Sequence, residues 1–71
     1  LDVRRLYSTA DEHVALDLLD RYHISYIYVG QLERALYPEK GWAKFDRMVG
    51  RFLDVAFENP GVKIYAVRGM A

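Results

Sequence analysis

The sequence predicts a small α/β fold, bordering on α+β, with the order β-α-β-α-β-β. About four strands form a mixed sheet, two helices pack on it, and the chain closes with a hairpin. Three observations predict this fold: two segments with helical apolar spacing, short β-prone runs around them, and a Pro-Gly turn between the last two runs. The 71 residues form one domain, 1–71, because a separate core needs roughly 50 residues or more.

The N-terminal part has the pattern of a strand followed by a helix. We predict a strand over 3–7, where two arginines mark an exposed side. Thr9 with Glu12 three residues later is typical of a capping box, so a helix is expected to begin there. Leu16 lies off its apolar stripe and is predicted to be exposed. The stripe consists of Val14, Ala15, Leu18, Leu19 and Tyr22.

The strongest strand signal is the segment 24–29, which is followed by Gly30. Such nearly continuous β-prone runs are typical of strands that are buried on both faces near the centre of a sheet. The preceding helix is predicted to end near His23. A strand, a helix and a strand at this spacing predict a parallel βαβ unit with a right-handed crossover.

A second helix is predicted in the middle of the chain. A helical turn over 31–37 is stopped by Pro38, and a loop follows at 39–41. Apolar residues then recur at helical spacing over 42–49, and Gly50 is placed to end that helix in a left-handed conformation.

The last two β-prone runs, 52–58 and 62–68, are predicted to form a hairpin. The turn between them, 59–61, has the sequence Asn-Pro-Gly. Pro followed by Gly at the centre of a turn favours a type II turn.

Composition and charge exclude several functional classes. Ten basic and ten acidic residues cancel, whereas a surface for nucleic acid or anionic lipid needs a clustered basic excess. No apolar run approaches the ~20 residues of a membrane span, so direct membrane insertion of this segment is not expected. No signal segment opens the chain. Leu1 is not a natural start residue, so we expect a fragment cut from a longer protein.

No catalytic residue, metal site or cofactor site is predicted. His13 and His23 lack the spacing of metal ligands. Ser8 and Thr9 are explained by helix capping, and Ser25 has no Gly-x-Ser-x-Gly motif around it. No glycine-rich phosphate loop follows the first predicted strand. An autonomous enzyme is therefore the least expected class.

Four residues near the end of segment 24–29 are candidates for ligand binding: Gly30, Glu33, Arg34 and Tyr37. They follow the carboxyl end of a predicted central strand, where open α/β sheets place their ligands. Glu33 and Arg34 offer a charged pair at this rim. The competing interpretation, which the residues themselves favour, is a loop with a solvated ion pair.

The tyrosines permit two interpretations as well. Tyr26 and Tyr28 point to the same face of one strand, and Tyr65 is expected to lie near them on the last strand. Packing on the sheet is favoured over stacking on a ligand, because tyrosine is a common strand residue.

Four stretches resemble the C-terminal tail of large hydrophobic membrane proteins: 26–34, Tyr37-Pro38, 43–46 and 59–65. These are the YYY-type (Chloroflexi/archaeal) uncharacterised membrane protein family, which is similar to the GT-C class of glycosyltransferases that use lipid-linked sugars. The resemblance covers almost the whole chain, and the Tyr-Val-Gly-x-Leu-Glu-Arg stretch is its most specific part.

The resemblance implies a soluble domain that follows the last membrane span of a parent protein in the cell membrane, on the extracytoplasmic side. In GT-C enzymes the metal-binding and catalytic acids lie in the membrane portion, so no catalytic residue carries over to this chain. The implied partner is the membrane-embedded remainder of the same chain.

Three functional hypotheses follow. The leading one is a non-catalytic accessory domain of a polytopic, glycosyltransferase-like membrane protein. The second is a module that binds a small ligand, such as a sugar phosphate or a nucleotide, at the rim from Gly30 to Tyr37. The third is a protein–protein or self-association module, suggested by the exposed Leu16 and the aromatic content of 14%.

Overall fold

The computed structural model describes residues 2–68 and has a mixed α+β architecture. Five short helices and three strands follow one another in the order α1, α2, β1, α3, α4, α5, β2, β3. The predicted class is confirmed, with three strands in place of about four. The bounds are α1 Asp2–Ser8, α2 Glu12–Arg21, β1 Tyr26–Gly30, α3 Gln31–Leu36, α4 Glu39–Trp42, α5 Lys44–Met48, β2 Leu53–Asn59 and β3 Val62–Val67.

The sheet has the strand order β1-β3-β2, and both pairs of neighbours are antiparallel. The predicted parallel βαβ unit is therefore wrong, and β1 is an edge strand rather than a central one. Its burial alternates: Ile27 and Val29 are buried, whereas Tyr26 and Tyr28 are exposed. The prediction counted Tyr26 and Tyr28 as buried residues of a continuous apolar strand. A tyrosine on a strand is equally suited to a face that is partly exposed to solvent.

The first element is a helix, so the strand predicted over 3–7 is wrong. Val3, Leu6 and Tyr7 also follow the helical spacing i, i+3, i+4, and five residues are too few to separate the two periods. Leu6 is buried in the core, while Val3 is exposed. Asp2 in the first turn and Arg5 in the last turn both suit the helix dipole.

Helix α2 begins at Glu12, and its N-cap residue is Asp11, not the predicted Thr9. The Asp11 carboxylate accepts hydrogen bonds from the backbone N–H groups of His13 (2.9 Å) and Val14 (3.3 Å). Thr9 instead accepts from the Asp11 N–H, at 3.0 Å. The Thr9–Glu12 capping box is thus corrected to an Asp11 cap, because a carboxylate at this position satisfies two free N–H groups at once.

The apolar stripe of α2 is largely confirmed. Ala15, Leu18 and Leu19 are buried, while Tyr22 is 52% exposed. Leu16, which was predicted to be exposed, is partly buried and packs against the core. The chain leaves the helix through His23, whose φ of 53° is left-handed, so the predicted end of the helix is confirmed.

The middle of the chain contains two short helices where a loop and one longer helix were predicted. Residues 39–41 belong to α4, and a second short helix, α5, starts at Lys44. Pro38 follows the end of α3, as predicted, but it is also the N-cap residue of α4. Gly50 has a φ of 90°, which confirms a left-handed residue there.

The C-terminal hairpin is confirmed, but its turn is not of type II. Gly50 is the only glycine within residues 2–68 with a positive φ, so Gly61 lacks the conformation that a type II turn requires. The Asn59 side-chain oxygen holds the turn instead, accepting from the N–H groups of Gly61 (2.9 Å) and Val62 (2.8 Å). An Asx turn of this kind needs no left-handed residue. Strand β2 also carries a bulge at Ala56.

The core lies on one face of the sheet, here called the inner face. Leu6, Leu18 and Phe45 from α1, α2 and α5 pack there against Ile27 and Tyr65 of the sheet. All helices with buried apolar residues therefore lie in one layer, and the sheet forms the second layer.

Candidate functional site

The predicted rim from Gly30 to Tyr37 begins at the junction of β1 and α3. Gly30 is the N-cap residue of α3, and its backbone N–H donates to Glu33 Oε1 at 2.8 Å. Glu33 therefore makes one of the two bonds of a capping box, since Gly30 has no side chain to form the other. One of its carboxylate oxygens is already used in this way, which leaves less of the group free for a ligand.

The ring of Tyr28 lies next to Gly30. A Cβ on Gly30 would lie 2.8 Å from Cε1 of Tyr28, closer than two carbons approach without displacement. The Tyr28 side chain therefore lies across the junction and joins the rim to the exposed face of the sheet.

Arg34 lies against Trp42, with its guanidinium carbon 5.6 Å from the ring centroid. Arg34 Nε and Trp42 Nε1 are both buried, and neither has a hydrogen-bond partner among residues 2–68. The cation stacks on the indole, which is the best aromatic partner for such a contact. Arg34 is therefore held by α4 and does not form the solvated pair with Glu33 that the sequence favoured.

Tyr37 stacks on Tyr7, with ring centroids 5.1 Å apart and planes inclined by 14°. The Tyr7 hydroxyl donates to the backbone carbonyl of Tyr28 at 2.7 Å, which ties α1 to the edge strand β1. Burial, together with the nearby charge of Glu33, raises the pKa of Tyr7. All four predicted rim residues thus lie together, and each also has a structural role. Ligand binding by them stays a prediction.

Next to the rim lies a polar cluster that the sequence did not indicate. Asp46 Oδ1 accepts from Lys63 Nζ at 2.8 Å and from the Tyr65 hydroxyl at 2.6 Å. Burial opposes ionisation of Asp46, but these two bonds outweigh it, so the pKa of the carboxyl is lowered. Burial and the same carboxylate raise the pKa of Tyr65. The positive charge of Arg34 favours the ionised forms of both Asp46 and Tyr65, which by itself lowers their pKa values. Arg34 of the rim is therefore close enough to the cluster to influence it.

The partners of this cluster come from α5 and β3, seventeen or more residues apart in sequence. No spacing rule links such positions, because the packing of α5 against β3 brings them together. Lys63 and Tyr65 both donate to the carboxylate of Asp46, so this cluster links α5 to β3.

Lys44 is the other polar residue that the sequence analysis missed. Its side chain is fully buried, and its ammonium group donates to the carbonyl oxygens of Leu6 and, at 2.7 Å, of Gly41. It also lies 4.0 Å from the centroid of the Phe45 ring. Burial, helped by the charge of Arg47, lowers the pKa of Lys44 to about 8. No carboxylate within the described part of the chain pairs with it.

The outer face of the sheet, opposite the core, has several exposed aromatic residues. Cross-strand pairing places Tyr28, Ile64 and Phe57 in one row across the three strands. Tyr28 and Phe57 are each 50% exposed, and Tyr26 nearby is 65% exposed. Tyr65 lies on the inner face, so its predicted position beside Tyr26 and Tyr28 is wrong. The error follows from the register, which pairs Tyr65 with Ile27.

Two apolar grooves of about 350 and 450 Å³ lie on either side of Ile24. None of the four rim residues lines either groove. The grooves and the predicted rim are therefore separate features of the surface.

Residues 2–68 contain no group of three or more His, Cys, Asp or Glu side chains arranged to hold a metal ion. Over the same range, none of the helices has both the length and the apolar character needed to cross a bilayer. His13 and His23 are both exposed.

Comparisons with known proteins found no matching family model, no similar curated protein and no similar solved structure.

Proposed function

We propose that this chain is a non-catalytic accessory domain of a longer, polytopic, glycosyltransferase-like membrane protein. It packs against the membrane-embedded remainder of that protein through the outer face of its sheet. The observation that carries the proposal is the row formed by Tyr28, Ile64 and Phe57, which no helix in the described part of the chain covers.

The composition of the outer face supports a protein contact. The face carries two exposed tyrosines and an exposed phenylalanine, and aromatic residues of this kind are enriched where proteins meet. Contiguous exposed apolar surface on a small domain marks an interaction site more often than scattered apolar residues do. The family resemblance supplies the identity of the partner, a membrane-embedded body in the same polypeptide.

The contacts of the polar groups support a non-catalytic role. Glu33 caps a helix, Arg34 stacks on Trp42, and Asp46 ties α5 to β3. Lys44 is buried among carbonyl groups. Each of these four groups thus has contacts within the chain that explain its position.

The first test is the gene sequence upstream of Leu1. The proposal expects many apolar segments of ~20 residues there. A parent protein without them would overturn it.

The second test is crosslinking in the full-length protein in native membranes. A photoreactive phenylalanine analogue in place of Tyr28 should crosslink to the membrane portion of the same chain. The same analogue in place of His13, on the exposed face of α2, is the control and should not crosslink. Equal crosslinking at both positions, or none at position 28, would contradict docking through the outer face.

The extracytoplasmic location can be tested separately in a full-length protein from which any other cysteine has been removed, because residues 1–71 contain none. An Ala10→Cys variant of the full-length protein places a thiol at an exposed position. A membrane-impermeant maleimide should label it in intact cells. Labelling only after the cells are lysed would place the domain on the cytoplasmic side.

A second candidate function is the binding of a sugar phosphate or a nucleotide at the rim. The unpartnered Arg34 Nε and Trp42 Nε1 favour it, since a ligand that displaced the stack would provide acceptors for both donors. NMR titration with these ligands should shift the amide signals of Gly30, Glu33 and Arg34. An unchanged spectrum at millimolar ligand would remove this candidate.

A further inference from the structure

One of the two grooves beside Ile24 combines apolar walls with a charged rim. This groove, here called the α2 groove, has a volume of about 350 Å³ and is lined by residues of α2, of the segment 23–25 that follows it, and of β3. Leu19 is buried there, Leu16 and Val67 are partly buried, and Phe52 is 36% exposed. Concave apolar sites of roughly 300–1,000 Å³ with a few polar groups are typical of small-molecule binding.

The charged group at the rim is Asp20, which lies in the last turn of α2. The C-terminal end of a helix carries partial negative charge, so a carboxylate at this position is unfavourable for the helix. No salt bridge among residues 2–68 compensates for it. The other charges at the ends of α2 suit the dipole, with Glu12 in the first turn and Arg21 in the last. Asp20 thus departs from the pattern that the rest of the helix follows, and such departures are expected at functional sites.

The basic residues in and next to the α2 groove do not neutralise Asp20, because each is bonded to another acid. The three pairs are Arg21 with Asp17 at 3.0 Å, Arg51 with Glu12 at 2.7 Å, and Arg68 with Asp54 at 2.8 Å. The α2 groove therefore has an uncompensated negative charge beside its apolar walls.

We propose that the α2 groove binds a small organic cation with an apolar body, whose ammonium group lies at Asp20. The apolar walls remove the hydrocarbon part of the ligand from water, and the carboxylate fixes its charged end. His23 and Ser25 also line the groove, and their side chains can accept hydrogen bonds from an ammonium group. Asp20 and the C-terminal end of α2 both disfavour an anion, so charge selects among ligands of the same shape.

The test is NMR titration of the 71-residue chain with three probes of similar shape: 2-phenylethylammonium, 2-phenylethanol and 3-phenylpropionate. We expect the cation to shift the amide signals of Leu19, Ile24 and Val67 with a dissociation constant on the order of 1 mM. The alcohol should bind more weakly, and the anion most weakly. Asp20→Asn should weaken binding of the cation by about threefold, the effect of one exposed charge pair, and leave binding of the alcohol unchanged.

Glu39→Gln is the matched control, because it removes the same charge from an exposed position of α4 that lines neither groove. Binding of the cation should be unchanged in this variant. Urea denaturation gives a second readout. Asp20→Asn should not lower the free energy of unfolding, because the charge it removes lies at the unfavourable end of the helix dipole.

Three results would overturn the proposal. The first is a spectrum in which about 10 mM of the cation shifts no signal of the α2 groove. The second is equal affinity for the cation and the anion. The third is a loss of cation binding in Glu39→Gln as large as that in Asp20→Asn, since this would assign the effect to net charge and not to the groove. The accessory role is tested on the full-length protein through the outer face, so each of these results would leave that proposal standing.

Discussion

A buried lysine without a carboxylate partner makes the stability of this domain depend on pH. The pKa of Lys44 is about 8 in the folded chain and is expected near its ordinary value of 10.5 in the unfolded chain. Between these values the unfolded chain binds a proton that the folded chain does not bind, so the free energy of unfolding rises with pH.

We therefore predict that the free energy of unfolding increases by on the order of 1 kcal/mol between pH 8 and pH 9.5. Urea denaturation at several pH values measures it. A Lys44→Met variant keeps much of the apolar volume and should lose the increase. Above pH 10 the buried tyrosines act in the opposite sense, because the raised pKa values of Tyr7 and Tyr65 mean that stability falls as they ionise. A variant with an unchanged pH dependence would contradict the role of Lys44.

Gly41 is required by the close approach of two backbones. A Cβ at this position would lie 2.0 Å from the carbonyl oxygen of Tyr7 and 2.8 Å from that of Ser8, so α1 would have to move. We predict that Gly41→Ala lowers the free energy of unfolding by about 3 kcal/mol. The control is Gly61→Ala, where the added Cβ would meet ordinary contacts of 3.7 Å or more. Equal losses in urea denaturation would contradict this explanation.

Among the elements, helix α2 depends on one capping residue. Asp11→Ala removes the acceptor for the N–H groups of His13 and Val14, and we predict a loss of about 1 kcal/mol in the free energy of unfolding. Asp20→Ala removes an exposed carboxylate from the same helix without removing a cap, and serves as the control. A loss from Asp20→Ala as large as that from Asp11→Ala would show that the charge of the helix matters rather than the cap.

The elements that could be predicted from the sequence are those whose signals are local. The hairpin follows from two β-prone runs around Asn59-Pro60-Gly61, and the buried face of α2 follows from its apolar spacing. Helix α1 could not be predicted, because Val3, Leu6 and Tyr7 fit both periods and only the packing of Leu6 decides between them.

The same distinction applies to the candidate site. Gly30, Glu33, Arg34 and Tyr37 are close in sequence, so their proximity in space could be predicted. Their partners Trp42 and Tyr7 could not, since these contacts depend on how α1 and α4 pack.

At the scale of the whole molecule, Asp46 joins the helical layer to the sheet. Its pKa is lowered in the folded chain, so it stabilises the fold above the ordinary pKa of an aspartate, and this contribution is lost as the pH falls through the folded value. We predict that Asp46→Asn makes the acid-induced loss of stability smaller than in the wild type. Urea denaturation from pH 6 down to pH 3 measures it.

The control for this experiment is Asp17→Asn, which removes a carboxylate from an exposed pair with Arg21 on one helix. Exposed pairs of this kind contribute little to stability. If Asp17→Asn changed the acid response as much as Asp46→Asn, the effect would come from net charge and not from the tie between the layers.

The strand order has a consequence for how the chain must be made. Of the three strands within residues 2–68, β3 is synthesised last, and it is the strand that pairs with both β1 and β2. During translation, β1 therefore emerges more than thirty residues before the strand with which it pairs. Its tyrosines and apolar residues stay unpaired until β3 has been synthesised. A proteolytic cut within 62–67 would accordingly disrupt both strand pairs of this sheet at once, because β3 belongs to each of them.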